Sequence, residues 1–295
     1  MSTVRIATDP TYGFKQLDPV PSPAELDAFY AEQYMELIEA GGRAPEIRRL
    51  LNAGPEREAE LAWIRSTLYA DIESELCAAG SRGLLVDVGC GTGDFLDHAR
   101  SRGWAVQGVE PSGLASERAR GRGLEVFHGT LERFVETSAR SFDALTMLNV
   151  LEHVPDPIAY VRCCRALLAP HGAIAVVVPN DFTETQAAAA AALGIEKPWW
   201  VAIPDHINYF DFASLERLLV GEGFEIVGKT CNFPMELFLL MGDDYVTNPQ
   251  LGPECHARRK RLEAALPVEL RRALYRGFAS FGLGRNCVVI ARRRD

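Results

Sequence analysis

The stretch Leu84-Leu85-Val86-Asp87-Val88-Gly89-Cys90-Gly91-Thr92-Gly93-Asp94-Phe95 limits the folds open to this chain more than any other. A short apolar run ends in glycines at every second position, and Phe95, Leu96 and Ala99 follow at helical spacing. An apolar run of this length between turn signals reads as a buried parallel strand. Glycines at its carboxyl end let the main chain turn sharply and approach a ligand where a Cβ would collide. An ordinary strand-to-helix turn needs only one glycine. The segment therefore predicts strand, glycine loop and helix, the first unit of an open α/β sheet with a ligand crevice beyond the strand's carboxyl end.

Spacing narrows the ligand. A dinucleotide fingerprint, G-x-G-x-x-G, would place its third glycine one residue later, and a P-loop would require a lysine that is absent. A nucleoside without a pyrophosphate remains. The next strand, Ala105 to Val109, ends in Glu110, about twenty residues past the loop, where a carboxylate accepts both hydroxyls of a ribose.

Four blocks carry a family resemblance: Val86 to Gly93; Gly108-Val109-Glu110-Pro111-Ser112; Ser141-Phe142-Asp143 opening the strand Ala144 to Leu148; and Leu151-Glu152-His153-Val154-Pro155-Asp156-Pro157. In these the chain resembles the class I S-adenosylmethionine-dependent methyltransferases, and the last block is similar to the small-molecule branch that includes the ubiquinone-pathway O-methyltransferases. The resemblance implies S-adenosyl-L-methionine as cofactor and a doubly wound, mostly parallel seven-stranded α/β sheet. It also implies cofactor contacts from Asp87, Gly89, Cys90, Gly91, Gly93, Glu110 and Pro111. Thr130 and Leu131 stand where relatives hold the adenine, Thr130 in place of a common aspartate, with Glu132 as a second candidate for that role. Asn149 and Val150 are expected beside the methionine part.

The chain has 295 residues, a formal charge of −9 and a pI near 5.3. That length suits one α/β domain with substantial appendages. The acidic balance argues against a nucleic-acid partner. No apolar run reaches the roughly eighteen residues of a membrane span, and the N-terminus lacks a basic-then-apolar signal pattern. Seven cysteines without a C-x-x-C pair indicate neither a zinc ribbon nor a disulfide framework. A cytoplasmic enzyme is expected.

In order, residues 1–80 read as an extended arm followed by a helical cap. Ser22-Pro23-Ala24-Glu25 opens a helix to about Ala40 with Tyr30 and Tyr34 one turn apart, and further helices are expected at about Pro45 to Ala53 and Glu56 to Ala79. Residues 81–230 and 285–295 form the core, with strands and helices alternating. A lid insertion spans 179–212 and contains a helix over Ala187 to Ala192; a helical insertion spans 231–284. The arginine-rich stretch Glu254 to Gly277 reads as a solvated amphipathic surface.

Methyl transfer from a sulfonium needs alignment and exclusion of water, and a hydroxyl acceptor benefits from a base of near-neutral pKa. His206, in Pro204-Asp205-His206-Ile207-Asn208-Tyr209-Phe210, and His153, beyond the fourth strand, are the candidate catalytic residues; alternatively His153 orders the loop and His206 packs under the lid. Some relatives bind a divalent ion through Glu-x-x-Glu-His. Here Asn149 replaces the first glutamate, and no metal is expected. Methyltransferases that act on adenine or glutamine amides carry Asn/Asp-Pro-Pro-Tyr/Phe after the fourth strand; the resemblance, with Asn149-Val150-Leu151-Glu152 there instead, implies that the acceptor is not a base or an amide. Trp199, Trp200, Tyr209, Phe210 and Phe212 fit a lid over a small organic acceptor or a dimer interface. The expected activity is O-methylation of a sugar, nucleotide-sugar or secondary metabolite. N- or C-methylation, or a cofactor-binding module without transferase activity, is the alternative.

Overall fold

The computed structural model describes residues 5–32, Leu50 and 54–295. The chain opens with a hairpin where an extended arm was expected: β1 (Arg5–Thr8) pairs antiparallel with β2 (Lys15–Asp18). Asp9 holds its tip, its Oδ1 accepting from the main-chain N–H groups of Thr11 and Tyr12 at 3.0 and 2.6 Å. The helix Pro23–Glu32 starts as expected, with Ser22 N–H donating to Glu25 Oε2 at 2.8 Å and Glu25 N–H to Ser22 Oγ at 3.3 Å. The rest of that helix with Tyr34, and the helix expected at 45–53 apart from Leu50, lie outside the described residues.

The helix expected at 56–79 is a continuous run from Pro55 to Ala78, interrupted by a π turn at Arg65–Tyr69. The hydroxyls of Ser66 and Thr67 both donate to Trp63 O, at 2.9 and 2.7 Å, and compete there with the helical ladder. Its last segment packs Ile72 and Leu76, both fully buried, on one face of the main sheet. At its amino end Arg57 reaches Asp94 beside the glycine loop, at 3.0 Å.

The main sheet has seven strands. In chain order they are β3 (Leu84–Val88), β4 (Ala105–Glu110), β5 (Val126–His128), β6 (Phe142–Leu148), β7 (Leu168–Pro179), then, after the two-residue β8 (Asn208–Tyr209), β9 (Phe224–Cys231) and β10 (Asn286–Arg293). The spatial order is β5-β4-β3-β6-β7-β10-β9, with β10 antiparallel to both its neighbours and the remaining pairings parallel. β4 and β6 flank β3 on opposite sides, so the direction of winding reverses at β3 and a crevice opens at its carboxyl end. Both faces are covered: Val86, Val88, Leu145 and Val176 belong to one apolar cluster, and Leu85, Ala144, Ala175 and Val288 to the other. This two-sided burial explains why the strands read as unbroken apolar runs.

β8 does not belong to this sheet. It pairs with β2, Lys15 opposite Tyr209 and Gln16 opposite Asn208, to complete a small three-stranded sheet. The insertion before it carries the helix Glu184–Leu193 over the alanine run. The second insertion carries helices Glu236–Leu240, Gly252–Ala265 and Val268–Ser280. The arginines there are not all solvated. Arg271 is 2% exposed and grips Asp71 through two nitrogens, at 2.6 and 3.1 Å, and Arg259 is buried on Glu263 at 3.1 Å. Bidentate pairing offsets the desolvation that a lone guanidinium could not bear. Among the described residues no helix is long and apolar enough to cross a membrane.

Candidate active site

The loop after β3 is held from the neighbouring strand. Gly89 and Cys90 donate main-chain N–H groups to Val109 O, at 2.8 and 3.2 Å. Gly91 N–H donates to Glu110 Oε2 at 2.8 Å, and Ser112 N–H to Glu110 Oε1 at 2.8 Å. Each carboxylate oxygen keeps a lone pair, so Glu110 can brace the loop and still accept hydroxyls. All three glycines have positive φ, +70°, +53° and +80°. A Cβ on Gly89 would lie 2.5 Å from Val150 Cγ2, and one on Gly93 2.3 Å from Leu124 Cδ1. A Cβ on Gly91 would meet no protein atom within 4 Å. The position open toward solvent is therefore Gly91, where a ligand can approach the bare main chain.

A cavity of about 370 Å³ lies beside this loop, within the range of small-molecule sites. Four of the expected cofactor residues line it: Gly89, Pro111, Thr130 and Leu131. Val109, Glu132, Val154, Pro155, Asp156, Ala159 and Tyr160 complete the wall. Tyr160 and Ala159 were missed. They belong to helix Pro157–Leu167, whose start was legible from Asp156: its Oδ1 accepts from Ala159 N–H at 2.9 Å. Thr130 caps the next helix through Arg133 N–H, at 3.5 Å.

Other expected residues do not line this cavity. Asp87 is buried in β3 and accepts from Thr146 Oγ1 at 2.6 Å; burial pushes its carboxyl up to about 7 against the pull of that hydrogen bond. Cys90 turns inward, so that a Cβ on Gly108 would lie 2.5 Å from its sulfur. Asn149 has φ +55°, and its Oδ1 accepts from Asn286 Nδ2 at 3.0 Å. Val150 packs on Gly89.

The two candidate histidines come together although fifty-two residues separate the elements that carry them. The rings of His153 and His206 meet edge to face at 4.9 Å. His153 Nδ1 is 2.7 Å from Asp205 O; a carbonyl only accepts, so Nδ1 carries the proton and Nε2 the lone pair of the neutral ring. Glu152, 2% exposed, lies with its Oε1 3.9 Å from His153 Nε2. Burial pushes the Glu152 carboxyl up to about 8, with the Asp181 and Asp205 carboxyls adding to the effect. One donor atom from each of Glu152, His153 and His206 lies within 4.8 Å of the others. Among the described residues, Glu152 Oε2 is buried without a hydrogen-bond partner. A buried carboxyl beside two imidazoles, with one donor atom from each drawn close together, is a donor set that fits a divalent cation. The sequence concealed this, because the third donor comes from the insertion and not from the motif.

The methyltransferase-domain family model matches residues 57–229, more than half of the chain. The ubiquinone biosynthesis O-methyltransferase of Actinobacillus pleuropneumoniae is 36% identical over 100 residues, 30% of this chain and 43% of that protein. The protein of the same name from Aromatoleum aromaticum is 29% identical over 180 residues, 58% of this chain and 76% of its own. The chain thus spans less than half the length of the first of these relatives. A crystal structure of a SAM-dependent methyltransferase from Archaeoglobus fulgidus superposes with a TM-score of 0.50 at 16% identity, covering 78% of this chain and 94% of that one. With its glycine loop, its strand-end glutamate and the family model spanning both, the chain belongs to the class I S-adenosylmethionine-dependent methyltransferases.

Proposed function

We propose that this protein transfers the methyl group of S-adenosyl-L-methionine to a hydroxyl oxygen of a small molecule. The observation that carries the cofactor half is Glu110, which braces Gly91 and Ser112 beside Gly89 and Pro111 of the cavity wall and keeps lone pairs for a ribose diol. Thr130, Leu131 and Tyr160 form the wall that receives the adenine. Relatives named as ubiquinone biosynthesis O-methyltransferases support oxygen as the methylated atom. A sugar, nucleotide-sugar or aromatic secondary metabolite is the acceptor class this reading favours, packed against Trp199 and Trp200.

In this reading Glu152, His153 and His206 stand on the acceptor side. The sulfonium is already activated, so the protein aligns the acceptor oxygen and removes its proton. His206 takes that proton, with His153 holding its lone pair at Nε2 beside it. The closeness of the three donor groups supports a second reading, in which they bind a divalent cation. The cation would supply Lewis-acid polarisation of the acceptor hydroxyl when bound.

Isothermal titration with S-adenosylmethionine tests the first half; no heat of binding would overturn it. Release of S-adenosylhomocysteine in the presence of a panel of catechols and glycosides tests the second. Repeating the assay after chelation and dialysis separates the readings: a histidine base keeps its rate, a cation-dependent site loses it.

A further inference from the structure

We propose that Asn208 and Gln16 are positioning residues that set the geometry of the His153–His206 pair, an inference that rests on the acceptor-side reading above. Asn208 is fully buried. Its Nδ2 donates to Leu151 O at 2.9 Å and to Val154 O at 2.7 Å, the two carbonyls that bracket Glu152 and His153. Two acceptors at one end force the amide nitrogen there, so Oδ1 faces the other way. There it accepts from Gln16 Nε2 at 2.8 Å, and Gln16 Nε2 also donates to Pro155 O at 3.2 Å. The carboxamide of Asn208 is thereby satisfied on both ends by partners from two remote segments.

Three further hydrogen bonds follow the same seam. Ile207 N–H donates to Glu152 O at 2.7 Å, Leu17 N–H to Ile207 O at 2.9 Å, and His153 Nδ1 to Asp205 O at 2.7 Å. The short strand β8 is thus sewn on one side to the turn that carries His153 and on the other to the N-terminal hairpin. A two-residue strand has too little pairing of its own to fix a register. The side-chain clamp supplies what the ladder lacks, and the hairpin is a working part of the acceptor side.

The test needs no acceptor. In protein labelled with 15N-histidine, proton exchange at the His153 Nδ1–H reports whether the Asp205 carbonyl still holds it, with H153N identifying the signal. Asn208→Asp keeps the shape and sets an oxygen against two carbonyls; Gln16→Leu removes one half-buried side chain and leaves the backbone pairing intact. The expected result is exchange about fivefold faster in Gln16→Leu, the worth of one neutral hydrogen bond, and roughly thirtyfold faster in Asn208→Asp. Affinity for S-adenosylhomocysteine stays at the wild-type value in both. Unchanged exchange in Gln16→Leu overturns the proposal, whether or not Asn208→Asp folds. So does a parallel loss of cofactor affinity, which would mark general loosening. A wild-type protein that binds no S-adenosylmethionine would instead defeat the functional reading and leave the exchange result standing.

Discussion

Glu110 Oε2 accepts a 2.8 Å hydrogen bond from Gly91 N–H, and this contact joins the two strand ends between which a nucleoside would lie. The acid at the end of β4 shapes the loop at the end of β3 before any ligand arrives. Two roles then fall on one carboxylate, and they separate by substitution. Glu110→Gln keeps an oxygen for one of them and Glu110→Ala neither. Hydrogen bonds to a charged group contribute about 1.5–3 kcal/mol each. Isothermal titration is expected to show S-adenosylmethionine affinity falling at least tenfold in Glu110→Gln and further in Glu110→Ala.

The glycines are expected to fail in different ways. At Gly93, φ +80° combines with a Cβ position 2.3 Å from Leu124 Cδ1, so Gly93→Ala should lower the melting temperature. At Gly91 the left-handed backbone alone costs about 1–2 kcal/mol, because no protein atom is in the way. Gly91→Ala should therefore fold, and Gly91→Leu should fold yet not bind the cofactor. Retained affinity in folded Gly91→Leu would contradict the ligand-approach role of that position.

His206→Asn and His153→Asn are expected to bind S-adenosylhomocysteine as the wild type does. Transfer should fall by about 10²–10⁴ in His206→Asn, the usual worth of a general base, and by less in His153→Asn. A loss of cofactor affinity in either variant, measured by titration, would place the pair on the wrong side of the site.

Acid stability is governed in part by Glu60, which is 2% exposed. Burial alone would raise its carboxyl, but His256, with Nε2 at 3.0 Å, and Lys260, at 3.0 Å, outweigh burial and hold it down at about 2. A depressed carboxylate stabilises the fold above its unfolded pKa and loses that contribution as pH falls through the folded value. Stability worth on the order of 3 kcal/mol should drain away between about pH 4.5 and pH 2. Urea titrations across that range should show it, and Glu60→Gln should flatten the dependence.

Asp71 and Arg271 fasten the C-terminal helices to the helix Ala70–Ala78. Removing one partner strands a buried charge, at a cost of about 3–5 kcal/mol. Asp71→Asn should lower the unfolding free energy from urea titration by that amount, seen as a lower midpoint, and an unchanged midpoint would show that Arg271 finds other partners.

The strand, the glycine loop, Glu110 and the order of alternating elements were fixed by neighbours in sequence. Apolar runs, turn residues and caps act over a few positions, and so they can be read one after another. The same holds for the helix starts at Ser22 and Asp156, where a side chain meets an amide three residues on. What the tertiary structure decided is everything that needs two distant segments to meet. The pairing of Gln16 with Asn208, 192 positions away, turned an expected arm into part of a sheet. The approach of His206 to His153 and Glu152 has the same origin, as does the burial of Arg271. Nothing local favours any of these partners over others of the same chemistry, because a short polar segment gains its partner only when packing brings it there.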